Sequence, residues 1–174
     1  MAQRLQDINP DITVDIIEDF LERDNITHYI SKQYSLVIDA IDAVMTKSAL
    51  IHYCRRNKIP IITTGSAGGK KDPQKITVSD LSKSVNDPLL AKVRNNLRRL
   101  HGFSRSGKTP FKVKAIYSTE QMTYPDDNGE TCQSKQFLSN DIGLDCNQGF
   151  GASTMVSATF GFMAASEAIK KLIK

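Results

Sequence analysis

The chain has 174 residues, 40% of them apolar and 24% charged, which suits one globular domain with a real core and excludes a disordered or fibrous protein. The polar start MAQRLQDINPD has no apolar segment of the signal-peptide kind, so a cytoplasmic protein is expected; three widely spaced cysteines, Cys54, Cys132 and Cys146, exclude a disulfide framework and a CxxC zinc site. The formal net charge of +4 is unevenly placed, because Lys92 to Lys114 holds eight Lys or Arg residues and no Asp or Glu, a block suited to a polyanion.

Residues 2–9 read as the last turns of a helix stopped by Pro10, so the chain is expected to open inside an element. DITVDIIED (11–19) reads as a strand, DNITHYISK (24–32) as a short helix capped by Asp24, and YSLVIDA (34–40) as a second strand. AVMTKSALIHYCRRNK (43–58), with apolar residues at Val44, Ala49, Leu50 and Tyr53 and basic residues at its end, reads as a helix, and IPIITT (59–64) follows as a third strand. Strands and helices alternating in this way, with continuous apolar strands, predict an α/β fold with a mainly parallel sheet flanked by helices.

Beyond Thr64, GSAGGKK is a glycine-rich loop and KITVSDL (75–81) a strand entering a turn. DPLLAKVRNNLRRLHG (87–102) is a basic amphipathic helix with Pro88 in its first turn and Gly102 past its end. FKVKAIYSTE (111–120) alternates like an antiparallel strand with one covered face, and PDDNGE within the aperiodic stretch 121–148 is turn chemistry. The segment from Gly149 to Ala165 is free of charge and leads into a basic helical tail. A buried helix is the expectation there, with a membrane-associated helix as the alternative.

In an open parallel sheet, ligands bind beyond the carboxyl ends of the strands, and Asp39 and Asp42 stand at the end of one. Asp42 also precedes a helix, where an aspartate caps in any protein, and position alone favours the cap. Lys47, five residues on, either reaches back toward phosphate or is a solvated lysine. The TTGSAGG loop offers backbone N–H groups to an anion, yet lacks both the GxGxxG spacing and a GKS/T ending; a tight strand exit is its simpler role. Cys54 is expected to be buried, and Cys146, ahead of a glycine-rich helix start, is the thiol to test first. His28, His52 and His101 are scattered singles without metal spacing. Within the basic block, Arg98, Arg99, Arg105 and Lys108 cluster at the helix end and the SRSGK loop and are the candidate polyanion contacts.

VIDAIDAV, ALIHYCRRNKIPIITTGSAGGKKDP, ITVSDLSKSVNDPLLAKVRNNLRR and LDCNQGFGASTMVSATFGF together resemble the tRNA threonylcarbamoyladenosine dehydratases. These belong to the wider ThiF, MoeB and HesA group, related to ubiquitin-activating enzymes. The resemblance runs nearly end to end; the absent CxxC pairs set the chain apart from the zinc-holding MoeB and ThiF relatives. It implies a Rossmann-like sheet that continues into antiparallel strands, an ATP-dependent adenylation and cyclisation of threonylcarbamoyladenosine in tRNA, ATP and magnesium with room for a monovalent cation, and a homodimer. Asp42 matches the family's magnesium and ATP aspartate, with Asp39 beside it, and Lys47 falls where many relatives place an arginine facing the phosphates. Ala43 stands where an asparagine is usual.

The family's phosphate loop, ribose-binding acidic residue and further cationic contacts lie upstream of the part matched by Met1. The chain is therefore expected to be the C-terminal two-thirds of a single ThiF-type domain truncated at its N-terminus, with residues 1–66 as the remaining Rossmann-like half and 67–174 as the C-terminal half. Two alternatives stand beside it. One is an inactive module that keeps the dimer surface and the RNA-facing stretch. The other is activation of a sulfur-carrier protein, with Cys146 as a thiol relay.

Overall fold

The apolar runs on either side of the first long helix become neighbouring strands, and the rest of the sheet is built outward from that pair. In the computed structural model, which describes residues 1–125, 131–132 and 151–173, two short helices come first, α1 (Ala2–Ile8) and α2 (Ile26–Tyr29). β1 (Val37–Asp39), α3 (Val44–Arg56) and β2 (Ile61–Thr64) then form a unit with parallel strands, Val37 opposite Ile61 and Asp39 opposite Thr63. β3 (Ile76–Asp80) and α4 (Pro88–Leu100) lead to β4 (Lys114–Ser118), which inserts between β2, parallel to it, and β3, antiparallel to it. The order is β1-β2-β4-β3. β5 (Tyr124–Pro125) and β6 (Thr131–Cys132) make a small antiparallel pair, and α5 (Thr154–Leu172) follows.

Period-two alternation sorts the strand residues onto two faces. Val37, Ile61, Ala115 and Tyr117 pack with Leu50, Ile51 and Cys54 of α3 and Leu90, Val93 and Leu97 of α4. Ile62 and Ile116 point the other way, onto Val156, Phe160, Ala164 and Ala168, which recur every fourth residue along α5. The result is three layers, with helices on both faces of a mixed, mostly parallel sheet. Asp87 caps α4 by accepting a hydrogen bond from the Leu90 N–H at 2.9 Å, with Pro88 in the first turn, and Gly102 (φ +68°) turns the chain away after its end.

Several expectations are corrected. Residues 11–19 form no strand: a strand needs a neighbour for its backbone groups, none is present among the described residues, and Ile16, Ile17 and Phe20 are exposed. α2 begins at Ile26 behind Asn25, not Asp24. The Asn25 side chain folds back instead of capping, accepting from the Glu22 N–H and donating to the Phe20 carbonyl. β4 is not a half-covered strand, since Ala115 to Ser118 are all buried; the alternation seen around Lys112 and Lys114 belongs to its entry. α5 is seated along one side only, with Met155, Phe162 and Ile169 exposed on another. No helix among the described residues is long and apolar enough to cross a membrane. Residues 126–130, most of the PDDNGE turn, and Cys146 lie outside the described residues.

Candidate functional site

β1 and β2 end side by side, and their register delivers two polar side chains to the same place. Asp39 is 1% exposed, and both of its oxygens are engaged. Oδ1 accepts from the Ile41 N–H at 3.0 Å; Oδ2 accepts from Thr63 Oγ1 at 2.7 Å and lies 3.0 Å from Lys47 Nζ. Lys47 is 0% exposed and also donates to the Ile41 carbonyl at 2.8 Å. The pair ties the exit of β1 to β2 and to the first turn of α3. Burial pulls the Lys47 pKa below its ordinary value, against the opposing pull of the Asp39, Asp87 and Asp42 carboxylates. Lys47 is therefore not a solvated lysine. It comes to the strand end through an ion pair with Asp39 rather than as a free ammonium.

Asp42 differs in every respect. The residue at the N-cap of α3 is Ala43, which cannot cap with a side chain, so the cap role that position suggested for Asp42 is not the one it plays. Asp42 is exposed, and among the described residues its carboxylate has neither a hydrogen bond nor an ion pair. No cluster of three or more His, Cys, Asp or Glu side chains suited to a metal occurs among the described residues. A magnesium ion here would take Asp42 and fill its remaining positions with ligand phosphate oxygens and water, the usual arrangement for this ion. Asp39, saturated by three protein partners, does not fit as a direct ligand.

A second buried network backs the first. Besides capping α4, Asp87 accepts from the Ser66 N–H at 2.9 Å and faces Lys70 Nζ at 3.5 Å, while Lys70 donates to the Ser118 carbonyl at 3.3 Å. Burial lowers the Lys70 pKa, with Asp87 and Glu120 opposing. Gly65 has to be glycine: a Cβ there would stand 2.0 Å from Asp87 Oδ2. The glycine-rich loop is thus the tight strand exit, shaped around a helix cap. Its far end is held by Glu120, whose Oε2 accepts from the N–H groups of Lys71 and Asp72 at 3.0 and 2.9 Å. Sequence reading missed Lys70, Asp87 and Glu120 as a set. An aspartate directly before Pro88 at a helix start is a cap signal that the sequence reading did not use, and no local signal links Asp87 to Ser66, 21 positions upstream.

The basic block divides. Arg94 bonds the Ser84 hydroxyl, Lys114 pairs with Glu167, and Arg98 is half-buried with its guanidinium 5.3 Å over the Phe111 ring. Arg99, Arg105 and Lys108 are exposed. Because α4 starts at the β2 exit and runs 13 residues, it carries Arg99 about 18 Å from Asp87, toward the opposite end of the sheet, and Arg105 and Lys108 follow in the loop beyond it.

The histidines are not all isolated. His52 of α3 and His101 behind α4 stack with ring centroids 4.5 Å apart at 26°, although four dozen residues separate them in sequence. Burial lowers both pKa values, aided by Arg56 at His52 and by His52 and Arg23 at His101. Cys54 is buried as expected, and burial followed by the Asp39 charge pushes its thiol up to about 12.

With this geometry in hand, comparison with known proteins gives a consistent result. A family model described as ThiF family matches residues 1–174. The tRNA threonylcarbamoyladenosine dehydratase of Escherichia coli (strain K12) is 49% identical over 173 residues, covering 99% of this chain and 65% of that protein. A solved structure, TcdA (CsdL), superposes with a TM-score of 0.85 at 46% identity, over 99% of this chain and 63% of the other. The E. coli enzyme in complex with ATP gives a TM-score of 0.81 at 45% identity, over 99% and 61%. The chain spans a little under two thirds of the length of these relatives.

Proposed function

The chain belongs to the ThiF family, and from that premise we propose that it carries part of an enzyme that uses ATP to activate and cyclise threonylcarbamoyladenosine in tRNA. The observation that carries the reading is Asp42: an exposed, unengaged carboxylate at the carboxyl end of a parallel strand, relieved of capping by Ala43. The relatives' names supply the substrate, and the ATP complex of one of them supports the nucleotide.

In this reading the carboxylate of the modified nucleoside attacks the α-phosphate of ATP, pyrophosphate leaves, and a nitrogen or oxygen within the same nucleoside displaces AMP as the ring closes. No protein nucleophile is required. A magnesium ion bound through Asp42 would supply charge stabilisation on the phosphates. Asp39 and Lys47 act as positioning residues: their ion pair fixes the chain at Ile41, one residue before Asp42, so that the free carboxylate is presented in one place. Arg99, Arg105 and Lys108 add positive charge for the tRNA, while Arg98 serves the fold around Phe111. A homodimer acting in the cytoplasm completes the proposal. The sulfur-carrier alternative rests on Cys146, which lies outside the described residues; Cys54, buried with a raised pKa, offers no accessible thiolate.

The test is pyrophosphate exchange and cyclic-product formation by a chimera in which the part of the E. coli relative not matched by this chain is joined to it. The chimera should be active with tRNA bearing threonylcarbamoyladenosine, and Asp42→Ala should abolish the exchange. Exchange that survives Asp42→Ala removes Asp42 from the reaction.

A further inference from the structure

At the amino-terminal end of the sheet, opposite to Asp42, a groove of about 560 Å³ is walled by Arg55, Arg56, Lys58, Lys112, Lys114 and Lys171. We infer that this groove is a binding track for the sugar–phosphate backbone of the RNA substrate. The inference rests on the tRNA reading above and extends it to a surface that reading did not contain.

Three observations carry it. The first is charge. One carboxylate, Glu167, faces the six cations, and it is already engaged by Lys114 and Lys170. Arg55, Arg56, Lys58, Lys112 and Lys171 have no carboxylate partner among the described residues. Such a convergence of like charge opposes folding by self-repulsion and is relieved by a polyanion. The cations come from three separate segments, the end of α3, the entry to β4 and the tail of α5; Lys112 and Lys114 close the basic block of the sequence, and no single charge run joins them to the other four.

The second is backbone conformation. Lys58 (φ +61°) and Lys112 (φ +57°) both occupy the left-handed region that non-glycine residues seldom adopt. Lys58 directly follows the C-cap of α3, where glycine is the usual choice. Two lysines therefore hold places that favour glycine, both on the rim of the same groove.

The third is shape. The groove has an apolar floor containing Leu36, Ile59, Pro60 and Ile61 beneath its cationic rim. A strand of RNA fits this combination, with phosphates at the rim and riboses or bases over the floor. A flat lipid headgroup surface would meet the rim alone. A smaller groove lined by Lys114, Lys170, Lys171 and Ile173 prolongs the track.

The experiment measures binding of a tRNA transcript to the 174-residue chain across a potassium chloride series. The groove variant carries Arg56→Gln, Lys58→Gln, Lys112→Gln and Lys171→Gln, all at exposed positions; the comparison variant carries Arg99→Gln, Arg105→Gln and Lys108→Gln. A charge-preserving Lys58→Arg, Lys112→Arg protein controls for the backbone, and melting curves confirm that each variant folds. Each lost phosphate contact should shrink the log–log salt slope by roughly 0.7 to 0.9. With four cations replaced, the groove variant should lose roughly 2.8 to 3.6 units of slope and at least about tenfold in affinity at low salt, while the charge-preserving protein binds normally. A groove variant with wild-type slope and affinity overturns the inference, and if the comparison variant alone is impaired, the tRNA reading stands with its contacts elsewhere. A wild-type chain that ignores the transcript but binds phosphatidylserine vesicles through these residues overturns it in favour of a membrane surface; a chain that binds neither overturns it outright. Failure of the catalytic reading is seen separately, in the pyrophosphate exchange of the chimera.

Discussion

Asp39, Asp42 and Lys47 lie within nine positions of one another, yet folding gives them different physical states. Asp39 and Lys47 form a buried pair, and removing one partner leaves the other charge desolvated and unmatched. Lys47→Met should lower stability by about 3–5 kcal/mol in urea titrations, and adding Asp39→Asn, which removes the orphaned charge but keeps an acceptor for the Ile41 N–H, should recover part of that loss. If Lys47→Met is neutral, the pair does not organise the strand end. Asp42 is the reverse case. It is exposed and unbonded, so Asp42→Ala should change stability by no more than about 0.5 kcal/mol while abolishing adenylation in the chimera. A fall near the 1 kcal/mol typical of a lost cap would return Asp42 to the helix.

Among elements, the contact between α3 and α4 carries a pH dependence through the stacked His52 and His101 rings. Both pKa values lie below the ordinary 6.5. The unfolded chain therefore takes up protons that the folded chain resists. Stability is fully present above pH 6.5 and falls as the pH drops below that value toward the folded pKa values. The melting temperature should decline between pH 7.5 and about 5.5, and His101→Phe, which keeps a ring against His52, should flatten that decline. An unchanged slope in His101→Phe would assign the acid sensitivity to other groups. Carboxylates with lowered pKa, Asp80 and Glu167, lose their contribution only at lower pH, as they protonate, and so stay outside this window. α5 shows a different consequence of packing: four residues spaced every fourth position seat it on Ile62 and Ile116, and the small side chains Ala164 and Ala168 let it lie close to the sheet.

For the molecule as a whole, charge is distributed between two ends. At the carboxyl end of the parallel strands, Lys47 and Lys70 are buried and paired, so neither ammonium is free to meet a triphosphate, and the exposed charges there are Asp42 and, in the loop after β2, Lys71. Isothermal calorimetry of this chain with ATP and magnesium should accordingly show no saturable heat at micromolar ligand. Saturable binding in that range would mean that this chain supplies a phosphate cradle of its own. At the amino end the free cations gather. In the chimera, pyrophosphate exchange and transcript binding are thus expected to respond to different substitutions.

The sequence by itself determined the elements whose signals are local. Pro10 and Gly102 mark helix ends, Pro88 marks a first turn, and the β-branched runs around Ile38 and Ile62 give parallel strands, because proline, glycine and β-branched runs act within a few residues. Asp42 was a candidate for a local reason too, its place three residues after β1, together with the family resemblance. What depended on partners distant in sequence was not legible. DITVDIIED has the alternation of a strand but no neighbour among the described residues, and FKVKAIYSTE looked half-covered although α3 and α4 cover one of its faces and α5 the other. The pairing of Lys47 with Asp39, the meeting of His52 with His101, and the gathering of Arg55, Lys58, Lys112 and Lys171 around one groove were decided only by tertiary structure. Each is fixed by how the strands and helices pack, and burial and charge density are properties of that packing rather than of the chain order.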